Sequence, residues 1–73
     1  MMNHRSLPAL GSRVRLRTIP WVGCEGIVVE HLRGGLLSVP VAAVVRLDEG
    51  GHRVVVVDRT EWKATPATEE TER

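Results

Sequence analysis

The sequence predicts a single all-β domain built as a small five-stranded barrel. Apolar residues alternate with period two and never keep helical spacing over three turns. The β-branched runs are short, and turns bearing glycine or proline separate them. Five short strands within about 50 residues are too few for a two-sheet sandwich, and a strongly bent barrel is the economical way to remove their edges. A chain of 73 residues allows one domain. At that size only about 60% of the unfolded chain's surface is buried, so the core is thin.

Residues 1–10 lack periodicity and contain Pro8, which predicts a mobile lead-in to a barrel over 11–63. In the stretch SRVRLRT, Val14 and Leu16 fall on one side and Arg13, Arg15 and Arg17 on the other, the pattern of a half-buried strand. Pro20 and Gly23 make 18–25 a loop. Residues 26–32 form the second strand, turned by Arg33, Gly34 and Gly35. Residues 36–39 read as a short extended piece ending at Pro40, which has no N–H to give a central ladder.

The third strand spans 41–47, a glycine hairpin turn 48–51, and the fourth strand 52–58. Residues 59–63 form a tight turn in which Trp62 and Lys63 open the last strand. Residues 64–73 are polar, without large apolar groups, and are expected to form a disordered acidic tail. The expected core is Val14, Leu16, Ile27, Val29, one face of 53–58, and Val41, Ala43, Val45 and Leu47. Ala42 and Val44, on the other face, are expected to bury badly in a monomer. Trp62 is the expected plug of a barrel end, because the chain has two Trp, no Phe and no Tyr.

One cysteine permits no internal disulfide, which predicts a reducing, cytoplasmic setting. The N-terminus has no apolar segment of the signal-peptide kind. The most apolar stretch, 36–45, is interrupted by Pro40 and too short to span a bilayer, so no membrane partner is expected. Net charge is +1 but unevenly spread. Residues 1–63 hold nine basic and six acidic residues, a mildly basic body, and Glu69, Glu70 and Glu72 lie in the tail. Nine arginines to one lysine suit phosphate or carboxylate recognition, and equally a GC-rich bacterial genome.

Gly11-Ser-Arg-Val-Arg-Leu, a loop, and then Gly23-Cys-Glu-Gly26-Ile-Val-Val together resemble the KOW motif. That motif belongs to SH3-like barrels of ribosomal proteins and of NusG- and Spt5-type elongation factors. The matching positions are Gly11, Val14, Leu16, Gly23, Gly26 and Val28. The resemblance covers about 20 residues and implies an SH3-like barrel with a role near transcription or translation. Similar strand–loop–glycine patterns occur in SH3-like accessory subunits and in antirepressors.

Arg13, Arg15 and Arg17 stand about 7 Å apart on one strand face, close to the spacing of successive phosphates. Arg46 and Arg53 flank the 48–51 turn and extend the stripe. The competing reading is a solvated face neutralised by Glu25, Glu30 or Asp58. Trp21, in the first long loop, either stacks on a base, takes a proline-rich or hydrophobic peptide, or folds over a barrel end. Cys24, His31 and His52 fit no zinc spacing, and Cys24 beside Glu25 is a poor nucleophile. No Ser/His/Asp arrangement or phosphate-cradling loop is suggested. The expectation is therefore a non-enzymatic binding module that needs no cofactor and uses Arg13, Arg15, Arg17, Trp21, Arg46 and Arg53. Nucleic acid is the first expected ligand. The other class is protein interaction (an accessory subunit, an antirepressor-like regulator or a homo-oligomer) through the Trp21 loop and the 36–45 segment.

Overall fold

The computed structural model describes residues 7–65. It contains β1 (Arg13–Leu16), β2 (Glu25–Gly34), β3 (Val39–Leu47), β4 (Arg53–Val56) and β5 (Trp62–Ala64), with one 3-10 turn at Arg59–Glu61. The strands form one antiparallel sheet in the order β4-β3-β2-β1-β5. The all-β class and the five strands are as the sequence predicts. The edge strands β4 and β5 are not hydrogen-bonded to each other, so the expected barrel is not closed by backbone pairing.

Opposed residues in an antiparallel ladder share a face. Val14 lies opposite Gly26, Gly26 opposite Leu47, Val28 opposite Val45, and Val45 opposite Val54. These positions form the inner face, and with Leu16, Ala43 and Val56 their side chains make the core. Leu7, Trp21 and Trp62 pack against it, half-buried. Val28 is 1% exposed, whereas Ile27 is 37% and Val29 40% exposed, so the expected Ile27/Val29 face is corrected. The register explains the change. Gly26 faces inward, which sends Ile27 outward. Between the Val28–Val45 and Glu30–Val44 pairs the register then slips, leaving Val29 as the extra residue of a bulge.

A second slip, between Leu32–Ala42 and Arg33–Pro40, leaves Val41 unpaired and only partly buried, not in the core where it was expected. Ala42 and Val44 are corrected in the other direction. They are 5% and 6% exposed, although they occupy the outer face. Pro40 sits within β3, in the stretch beyond the 43–46 pairing with β4, where the strand has one neighbour instead of two. Residues 36–39 belong to a hairpin turn, closed by the Ser38 N–H donating to the Gly35 C=O at 3.1 Å, and to the start of β3.

Two copies of one turn motif bracket the β1–β2 hairpin. The Gly11 N–H donates to the Val28 C=O, and the Val28 N–H to the Ser12 C=O. Likewise the Gly23 N–H donates to the Leu16 C=O, and the Leu16 N–H to the Cys24 C=O. In each, two residues oppose one, and the first has positive φ: 83° at Gly11 and 89° at Gly23. That is a bulge whose first position favours glycine. Gly26 is required for a different reason. A Cβ there would overlap the Arg46 carbonyl oxygen and lie 2.9 Å from both the Arg46 carbonyl carbon and the Leu47 Cα.

The expected lead-in is docked from Leu7 onward. Pro8 is buried, and its carbonyl accepts a hydrogen bond from His31 Nε2 at 2.7 Å, so that nitrogen carries the proton. Residues 1–6 and most of the expected acidic tail, 66–73, lie outside the described residues.

The register sets unequal costs on neighbouring positions. Val28→Ala is expected to cost about 2 kcal/mol in urea unfolding, and Ile27→Ala under about 1 kcal/mol. Gly26→Ala is expected to cost about 1–3 kcal/mol through backbone overlap. Equal costs at 27 and 28 would contradict this register.

Candidate binding surface

The outer face is built from the residues that alternate away from the core. Arg13 lies opposite Ile27, Ile27 opposite Arg46, and Arg46 opposite Arg53, forming one row across four strands. Beside it, Arg15 stands between Lys63 and Glu25. On the other side, Val44 stands between Glu30 and Val55, and Leu32 lies opposite Ala42.

Two of the arginines singled out in the sequence are neutralised within this face. Arg15 donates through Nη2 and Nε to Glu25 Oε2, at 2.6 and 3.0 Å. Arg13 Nη2 reaches Asp48 Oδ2 at 2.6 Å and Glu25 Oε1 at 3.3 Å. Asp48 is brought there by the backbone, its N–H donating to the Glu25 C=O at 2.9 Å. The hydrogen bond from Arg15, opposed by burial and helped by Arg13, holds the Glu25 carboxyl below its usual range. The same contacts, those of Asp48 first, push the Arg13 guanidinium up. Glu25 supplies the neutralisation read from the sequence. Asp48 is the other partner, whereas Asp58 caps the 3-10 turn by accepting from the Thr60 N–H.

Arg46 and Arg53 are different. They are exposed, directly opposite each other, and in no ion pair among the described residues. Like charges so placed repel. Arg17 follows β1, and its backbone N–H donates to the Glu61 C=O at 2.9 Å.

Trp21 is positioned by the loop between β1 and β2. Its N–H closes a turn onto the Thr18 C=O across the cis Ile19–Pro20 peptide. The ring is half-buried, packs against the core, and lies 5.4 Å from the His52 ring. With Gly23, Leu47 and the acidic residues Glu25, Asp48 and Glu49 it lines an open groove of about 390 Å³. Glu25 and Asp48 on its rim are the carboxylates that hold Arg13 and Arg15, so Trp21 lies beside arginines that are already ion-paired.

No protein-family model, curated protein or solved structure matches the chain. The chemistry of the surface thus has to carry the reading. Among the described residues no group of three or more His, Cys, Asp or Glu is placed to hold a metal ion, and no helix is long and apolar enough to cross a membrane.

What the sequence reading passed over is the rest of the outer face. Ile27, Val29, Leu32 and Val55 are exposed there, Val55 by 50%, around the buried Ala42 and Val44. Glu30 is exposed beside them and in no ion pair among the described residues. The signal was available in the composition of 53–57, an arginine and four valines. A strand that alternates cleanly has polar residues on its solvent side, and this one has valine on both sides.

The Glu25 contacts define a pH signature. Because the folded-state pKa is lowered, their stabilisation is full above the ordinary value of 4.5 and is lost as pH falls through the folded value. Glu25→Gln is expected to cost about 0.5–1 kcal/mol near neutral pH, the range for partly exposed pairs. That difference should close in urea titrations at acid pH, and a difference independent of pH would show that the carboxylate charge is not its source.

Proposed function

We propose that this chain is a non-enzymatic protein-interaction module whose docking surface is the outer face of β2, β3 and β4. The observation that carries the reading is the apolarity of these strands on both faces. Strands of this kind normally lie between two layers, and the described residues supply one layer, on the inside. The exposed apolar residues stand on β2 and β4, to either side of the buried Ala42 and Val44 of β3, and apolar residues gathered on one face in this way mark an interaction site more often than scattered ones do. Neutralisation of Arg13 and Arg15 within the chain supports the same reading, because it removes two of the cations a phosphate-binding stripe needs.

A photo-crosslinking side chain placed at Val55 is expected to form adducts with protein in a native lysate, and the same group at Lys63 far fewer. Equal yields at the two positions, or no protein adduct at Val55, would overturn the proposal.

A second reading, nucleic-acid binding, is favoured by the unneutralised Arg46–Arg53 pair and by the KOW resemblance of the β1–β2 hairpin. It makes a distinct prediction. Affinity for single-stranded RNA or duplex DNA should fall by roughly 0.7–0.9 log units per log unit of salt for each phosphate contact. Arg46→Ala/Arg53→Ala should lower that slope by about two contacts' worth, whereas Arg13→Ala/Arg15→Ala leaves it nearly unchanged. A salt-independent titration would remove this reading.

A further inference from the structure

We propose that the occupant of the outer face is a second copy of this chain, packed sheet to sheet about a two-fold axis. This rests on the protein-interaction reading above and adds the identity of the partner.

Charges are left over on this one surface. Glu30 is exposed there and forms no ion pair among the described residues. Arg46 and Arg53 point from the same face, also without a carboxylate. Glu30 shares its row with Val44 and Val55, and the two arginines occupy the row two residues further along. Rows so related are about 7 Å apart.

A two-fold axis lying between the two faces and running obliquely across the strands, over Ile27 and between Val44 and Val55, exchanges Glu30 with the Arg46–Arg53 pair, so that the two sheets cross at a steep angle. Glu30 of each copy then faces the Arg46–Arg53 pair of the other. Both halves of the contact are identical, as a two-fold interface requires. Packed sheets lie about 10 Å apart, a gap that long side chains extending from both sides can bridge.

The apolar residues fit the same arrangement. Val44 and Val55 lie in the Glu30 row, and Ile27 lies in the Arg46 row. The oblique axis therefore runs over exposed Ile27 and beside exposed Val55, with Val44 buried between them, and leaves the charges to its sides, an apolar centre with a polar rim. The mutual repulsion of Arg46 and Arg53, uncompensated among the described residues of one copy, is relieved by the partner's carboxylate.

Light scattering on the purified full chain tests this. Wild type is expected to run at twice the chain mass in the micromolar range and to dissociate on dilution. Glu30→Arg and the double variant Arg46→Glu/Arg53→Glu should each raise the dissociation constant by at least about tenfold, since each sets like charges against one another. Mixing those two variants should restore association, because every contact in the mixed pair is again opposite in sign. Val55→Glu should leave a monomer. All four substituted side chains are exposed, and unchanged urea midpoints would confirm intact folding of the variants.

A wild type that stays monomeric throughout that range would overturn the inference, and so would a mixture that fails to associate. The crosslinker at Val55 distinguishes a second copy from a different partner. Adducts with a different protein from a chain that is monomeric when pure would remove the second copy and keep the docking surface. No adduct from either source would remove both.

Discussion

The close approach of β2 to β3 at Gly26 is the constraint on which the rest depends. With no side chain at that position, the backbone of β2 rests against the carbonyl of Arg46 and the Cα of Leu47. Gly26 is also where β1 meets β2, opposite Val14. One missing Cβ thus brings three strands together at the centre of the sheet. It also settles which side each neighbour takes: Val28 turns into the core, Ile27 turns out, and Arg13 and Arg46 follow Ile27 to the outer face. A single-residue shift would exchange the two faces throughout β2.

Given that register, the surface chemistry follows from what each row contains. Glu25 sits opposite Arg15, and Asp48 is tied to Glu25 through the backbone, so the first two arginines find carboxylates without leaving their strand. The next pair, Arg46 and Arg53, flanks the 48–51 turn and finds none among the described residues. Apolar residues fill the rows beyond. The outer face therefore divides into a neutralised part over β1 and a part over β2, β3 and β4 that is apolar with unbalanced charge. Trp21 belongs to neither, because the turn ending at Gly23 folds it down onto the core.

Strand identity was legible in the sequence because alternation and turn residues are local signals. The β1 pattern, the 48–51 turn and the brief strand after Arg59–Glu61 all appear where the spacing puts them. The inner face of β2 was not legible from alternation alone, because Ile27, Val28 and Val29 are almost equally apolar. The glycine spacing held better information: Gly26 and Val28 sit two apart in the motif and therefore share a face. The two bulges, at Val29 and Val41, escaped because a bulge is a property of paired strands and no single strand announces it. Of the candidate residues, the arginines were visible as an array, but their partners depended on a cross-strand register that only the folded chain supplies.

Glu61 has a consequence of its own. Its side-chain carboxylate accepts the Val57 N–H at 2.6 Å, just past the end of β4, and its backbone carbonyl accepts the Arg17 N–H, just past β1. Standing next to β5, this one residue thereby ties the end of the β4 margin to the β1–β5 side of an unclosed sheet. Arg53, the first residue of β4, places a charge at the opposite end of that edge. Continued strand-by-strand addition needs a long run of vacant, uncharged backbone, and this margin is short and guarded. Growth along the edge is discouraged while the broad face stays open, so association of such a chain favours a closed particle of few copies over a fibre.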